Sequence, residues 1–97
     1  MSKLHCHPAL IPSANSNQLL YKFSNGYGAS VIIGGYEGPL CPYELAVIKF
    51  DPEDNWDLCY DTEITSDVLG WLTTNEVMAL LNRIEDLPQV QEAVLTA

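Results

Sequence analysis

The chain has 97 residues and a mass of 10.7 kDa, with 47% hydrophobic and 18% charged residues, enough for one hydrophobic core and far too apolar for intrinsic disorder. Four Lys or Arg against thirteen Asp or Glu leave a formal charge of −9, and the basic residues Lys3, Lys22, Lys49 and Arg83 are scattered, so direct binding to a nucleic-acid backbone is not expected. In so small a domain a deep catalytic cleft would compete with the core for the same side chains, which favours a non-enzymatic binding module without a cofactor.

Three cysteines, Cys6, Cys41 and Cys59, cannot all pair within one chain, and none has redox or zinc-ribbon spacing, so reduced thiols in a cytosol are expected. The N-terminal stretch is broken by two His and two Pro and is no secretory h-region. No window approaches the roughly 18 apolar residues of a membrane span. The sequence therefore reads as that of a soluble intracellular protein that avoids membranes.

Residues 1–17 contain Pro8, Pro12 and the polar run Ser13-Ala14-Asn15-Ser16-Asn17, without a sustained period, and read as a flexible or loosely docked arm. Leu4, Leu10 and Ile11 are the residues that could seat it. Residues 18–97 read as a single α+β domain. Leu19, Tyr21 and Phe23 alternate with Leu20 and Lys22, which predicts a first strand. Ser24-Asn25-Gly26 follows as a hairpin turn in which Asn-Gly supplies positive φ, with Gly28 available for a bulge. Ala29, Val31 and Ile33 then alternate with Ser30 and Ile32 in a second strand.

Residues 34–42 hold three glycines and two prolines and predict a long loop. In residues 43–50, Tyr43, Leu45 and Val47 face one way and Ala46, Ile48 and Phe50 the other, as in a central strand covered on both faces. Asp51-Pro52-Glu53-Asp54-Asn55 suits a type I turn, and a fourth strand over residues 56–61 should return antiparallel to the third. From Ser66 to Leu72 a short helix is predicted, weakened by Gly70. Thr73-Thr74-Asn75-Glu76 matches a capping box, after which Val77, Leu80, Leu81 and Ile84 form one helical stripe. Pro88 ends that helix or begins a short terminal turn with Val90, Ala93 and Val94.

The expected architecture is thus α+β: a four-stranded antiparallel meander with a short and a longer C-terminal helix packed on one face. If Leu20, Ile32, Ala46 and Ile48 share the other face, they form an apolar patch that a homodimer or a docked partner would cover.

The segments Tyr21-Lys22-Phe23-Ser24-Asn25-Gly26-Tyr27-Gly28-Ala29-Ser30-Val31, Tyr43-Glu44-Leu45-Ala46-Val47 and Leu58-Cys59-Tyr60-Asp61-Thr62-Glu63-Ile64-Thr65-Ser66-Asp67-Val68-Leu69-Gly70 resemble a family of small, mostly uncharacterised bacteriophage and prophage proteins. The resemblance covers about residues 20–86. It implies a glycine-rich loop between the second and third strands, a short and a longer closing helix, and a phage protein at work in the cytoplasm of a bacterial host. It names no activity.

The densest chemical feature is an acid run, Asp51, Glu53, Asp54, Asp57, Asp61, Glu63 and Asp67, without an intervening Lys or Arg. Such an edge would steer a cationic partner and could imitate the charge spacing of a nucleic-acid backbone. The plainer alternative is a solvated turn and strand edge whose charges keep sheets apart. A calcium loop is not expected, because Asp51-Pro52-Glu53-Asp54-Asn55 lacks the alternating ligands and central Gly of an EF-hand. Tyr36 and Glu37, in the glycine-rich loop, join the acid run as candidate contacts, since a loop has little core to bury an aromatic ring. Tyr27, Trp56 and Trp71 are further aromatic candidates, with Trp71 expected between the helices.

His5-Cys6-His7 offers three zinc donors, with Cys41 or Cys59 as a fourth only in space, and no metal site is expected. A Cys nucleophile would need a nearby base, and both histidines lie in the arm.

The leading expectation is a phage-type accessory protein that binds and modulates or inhibits a host defence or DNA-handling protein with a basic surface, through Tyr36, Glu37, Asp51, Glu53, Asp54, Asp57, Asp61 and Glu63. The alternative is a small structural or assembly protein that acts by homo-oligomerisation.

Overall fold

The computed structural model describes residues 3–33, 42–59, 62, 64 and 69–89. Within them the chain is α+β. A 3-10 turn at Lys3–Cys6 precedes β1 (Leu10–Ile11), β2 (Gln18–Lys22), β3 (Tyr27–Ile33), β4 (Tyr43–Phe50), β5 (Trp56–Leu58), β6 (Leu69–Leu72) and α1 (Thr74–Glu85). Strands β1 to β5 lie side by side in chain order, every pairing is antiparallel, and β6 also pairs with β4.

Alternation along the strands sorts residues onto the two faces as their sequence period requires. Leu19, Tyr21, Phe23, Ala29, Val31, Leu45 and Val47 face α1 and join Val77, Leu81, Ile84, Leu4 and Cys59 in the main core. Leu20, Ser30 and Ala46 lie in register on the opposite face. They are buried, as is Ile48, while Ile32 is half-buried. The four apolar residues expected on that face do share it, but within the folded chain they do not form the exposed patch that a second copy would have to cover. The Ser30 hydroxyl accepts a hydrogen bond from Gln18 Nε2 at 2.9 Å, and Gln18 Oε1 accepts one from Ser13 Oγ at 2.8 Å. A buried hydroxyl needs such a partner.

Residues 3–17 are seated on the sheet rather than forming a free arm. Leu4 is completely buried, Leu10 and Ile11 pair with Tyr21 and Leu20, and the buried Tyr21 hydroxyl donates to the Leu4 carbonyl at 2.8 Å. His7 stands edge-on to Tyr21 and Phe23 at centroid distances of 5.4 and 6.0 Å, and its Nδ1 accepts from the Ala9 N–H at 3.0 Å. Burial of Leu4 and of parts of Ala9, Leu10 and Ile11 works against the ordering entropy of this segment.

The β2–β3 turn differs from the expected one. Only Gly26 has positive φ, at 89°; Gly26 N–H donates to Phe23 O and Phe23 N–H to Tyr27 O, a three-residue loop of a type I turn followed by one left-handed residue. Gly28 sits in unbroken register between Lys22 and Ile48 and makes no bulge. Its role is close approach: a Cβ there would lie within the contact radius of the Tyr21 carbonyl and 2.8 Å from Phe50 Cε2.

Two further expectations need correction. The meander has six strands among the described residues, not four, because β1 and β6 add pairings at its margins. Among the described residues one α-helix stands where a short and a longer one were expected. Leu69–Leu72, the second half of the predicted short helix, is strand β6, with Leu72 opposite Tyr43 and Leu69 opposite Leu45. Gly70 weakens a helix there, and the half of β4 that β5 leaves uncovered supplies hydrogen bonds that a local helix would leave unmade. Residues 66–68 and the predicted terminal turn at Val90, Ala93 and Val94 lie outside the described residues.

Helix α1 follows its sequence signals closely. Thr73 Oγ1 accepts from Glu76 N–H at 3.1 Å and Glu76 Oε1 from Thr73 N–H at 2.8 Å, the reciprocal capping box. Val77, Leu81 and Ile84 are buried and Leu80 half-buried.

Candidate functional site

The β4–β5 hairpin carries the described part of the acid run. Its turn is built by Asp51, whose Oδ1 accepts from the N–H groups of Glu53 and Asn55, both at 2.9 Å. Asp54 N–H donates to Asp51 O at 3.0 Å and Asp51 N–H to Asn55 O at 2.8 Å. This is the same loop design as the β2–β3 turn, with Asp54 at φ 68° in the left-handed position that Gly26 fills there. Asp tolerates that conformation better than most residues because its short side chain is polar.

Lys22 reaches this turn from β2. Its Nζ forms an ion pair with Asp54 and lies 5.3 Å from the centroid of the Phe50 ring. Lys22 stands directly opposite Gly28 in the sheet register, so the missing side chain at 28 leaves room for the Phe50 ring. The hairpin acids thus have unequal roles. Asp51 is engaged in the turn and Asp54 is paired, while Glu53 and Asp57 are exposed carboxylates without a side-chain partner among the described residues. Lys49 stands opposite Asp57 in the register but forms no ion pair with it.

All residues from Asp51 to Leu58 are exposed. Trp56 is 37% and Leu58 45% exposed, two large apolar side chains that the core leaves partly in water on one strand. They alternate with Asp57, so they share the face away from α1 with Phe50 and Ile48. Among the described residues the third exposed large apolar side chain is Trp71 on β6, at 65% exposure and with φ 59°. Trp71 was expected between the helices; it projects from the strand that replaces the short helix.

Strands β5 and β6 occupy the same edge of β4. While β4 runs from Val47 to Leu45, the outer strand runs from Cys59, whose N–H donates to Val47 O, to Leu69 opposite Leu45. The exposed Trp56, Leu58 and Trp71 therefore all belong to the interrupted outer strand at one margin of the sheet.

Of the eight contact residues expected from sequence, Asp51, Glu53, Asp54 and Asp57 come together on this hairpin. Tyr36, Glu37, Asp61 and Glu63 lie outside the described residues. Sequence alone does not mark Leu58 as a contact, because an alternating apolar residue in a short strand reads as core until the strand is known to be a margin. Tyr27, the remaining aromatic candidate, is half-buried and packs against the core.

Among the described residues no three His, Cys, Asp or Glu side chains gather as a metal cage. His7 turns Nδ1 to the backbone and its ring to Tyr21 and Phe23. No described helix is long and apolar enough to cross a membrane. Tyr21 has its hydroxyl pushed up to about 12, first by burial and then by the neighbouring Tyr43 hydroxyl, as expected of a phenol kept neutral in a core.

No protein-family model, curated protein or solved structure matches the chain.

Proposed function

We propose that this protein is a non-enzymatic binding module that docks the β4–β5 hairpin against a basic surface of another protein. The resemblance to phage proteins is what favours a bacterial-host protein as that partner, which binding would modulate or inhibit. The observation that carries the reading is the unbroken exposure of residues 51–58, which presents the carboxylates of Glu53 and Asp57 and the apolar side chains of Trp56 and Leu58 on one hairpin, Asp57 on the face opposite to Trp56 and Leu58. An aromatic anchor with flanking charge is how protein interfaces combine affinity with steering. The chain's net charge of −9 adds long-range attraction toward a cationic partner. Self-association is the less favoured reading, because Leu20, Ala46 and Ile48 are already covered.

The test is affinity capture from bacterial host cells by the intact protein and by a Glu53→Lys, Asp57→Lys double variant. These two positions leave the Asp51 turn and the Lys22–Asp54 pair in place. A specific partner should be retained by the parent at low ionic strength, fall away as salt rises past about 0.15 M, where screening reaches within about 8 Å, and be lost by the variant. Equal capture by both proteins refutes the assignment.

A further inference from the structure

The hydrogen-bond phase of the β4–β5 ladder determines what β5 offers outward. Asp51 N–H donates to Asn55 O and Cys59 N–H to Val47 O. Hydrogen-bonded pairs alternate along an antiparallel ladder, so Lys49 and Asp57, midway between, form the next such pair. The backbone N–H and C=O groups of Trp56 and Leu58 consequently point away from β4. Among the described residues nothing pairs with them, and these same two residues carry the exposed apolar side chains.

The geometry points to strand addition on this margin: the outer edge of β5 receives an extended partner segment bearing a Lys or Arg between two apolar residues. This deepens the function proposed above and rests on it. The apolar residues of the segment exchange backbone hydrogen bonds with Trp56 and Leu58 and stack on their side chains, while its basic residue falls opposite Asp57. That central pair is of the non-hydrogen-bonded kind, in which facing side chains are closest, and so it is the position most sensitive to charge. A second copy of this chain is the wrong occupant. Two-fold antiparallel pairing centred on β5 sets Asp57 against Asp57 of the copy, and each chain carries a net charge of −9. A cationic strand meets the same edge with attraction at every stage.

The experiment titrates the intact, ¹⁵N-labelled protein with a capped peptide, Thr-Val-Lys-Val-Thr, at up to millimolar concentration. Strand addition predicts shifts centred on the Trp56, Asp57 and Leu58 amides and slowed hydrogen exchange at Trp56 and Leu58. N-methylation of both peptide valines removes donors that face β5 and should weaken binding about tenfold or more. N-methylation of the lysine amide, which faces away, should be tolerated. Replacement of the lysine by glutamate should weaken binding about tenfold or more.

If the peptide binds in a lysine-dependent way but tolerates methylated valines, strand addition falls and the acidic docking surface stands. If the glutamate peptide binds equally well, the cationic assignment falls, and with it this proposal. No binding, or shifts confined to other strands, overturns it outright and leaves β5 as a margin guarded by Asp57.

Discussion

Asn25 Nδ2 donates to the carbonyls of Ile84 and Leu87 at 2.9 and 3.0 Å, with Glu85 O at 3.2 Å, while its Oδ1 accepts from Tyr27 N–H at 3.0 Å. The side chain thereby orders its own turn and supplies donors to Ile84 O, which also accepts from Leu87 N–H, to Glu85 O at the end of α1, and to Leu87 O just beyond it. Asn25→Ala should cost about 1–2 kcal/mol in chemical denaturation, the net worth of a pair of hydrogen bonds. Asn25→Asp should cost more at neutral pH, because a carboxylate then faces carbonyl oxygens. That excess should vanish at acid pH as the carboxyl is protonated and regains a donor.

The Tyr21 hydroxyl makes a second residue-scale prediction. Its folded pKa, about 12, lies above the ordinary value of 10.0, so the folded chain holds this proton more tightly than the unfolded chain. The contribution is present below pH 10 and is lost as pH rises toward 12, amounting to about 2–3 kcal/mol over that window. Denaturation curves between pH 9 and 12 should show the decline, and Tyr21→Phe should flatten it. An identical decline in the Phe variant would place the alkaline sensitivity elsewhere.

Among elements, the contrast between α1 and β6 is instructive. The capping box and the stripe of Val77, Leu81 and Ile84 specify α1 by local interactions alone, and the helix appears where they place it. Residues 69–72 carry no comparable signal, and their state is set by the unpaired half of β4. Trp71 marks the difference. A tryptophan between helices would cost about 3–5 kcal/mol on truncation, whereas a largely exposed one in a left-handed conformation should lose little. Trp71→Gly is expected to stay within about 1 kcal/mol of the parent, since relief of backbone strain offsets the lost contacts. Thermal denaturation of that variant decides between the two placements. The two hairpins teach a related lesson: Asn-Gly and Asp-Pro-Glu-Asp look unlike in sequence yet form the same loop, because one left-handed residue after a type I turn matches the twist of the flanking strands.

At the scale of the whole molecule, the surplus of acids acts as a field. One ion pair, Lys22 with Asp54, relieves it among the described residues, and self-repulsion must weaken the compact state. Stability should therefore rise with sodium chloride, by a few degrees in Tm between about 10 mM and 200 mM salt as the Debye length falls from about 30 Å to below 8 Å. Binding to a basic partner should move the opposite way over the same range. That opposition separates screening of the protein's own charge from screening of its interface.

Strand polarity, the two faces of the sheet, the core stripe of α1 and its cap were legible in the sequence, because each depends on residues within a few positions of one another. The acidic character of the β4–β5 turn was legible too, since charge is carried by composition. Three things depended on contacts remote in sequence: the seating of residues 3–11 on Tyr21, the conversion of Leu69–Leu72 into a strand, and the unequal roles of the four hairpin acids. Alternation shows that Leu58 and Asp57 lie on opposite faces, but not that their strand ends the sheet. Only the order of strands reveals that margin, because exposure is a property of what lies beside a residue in space.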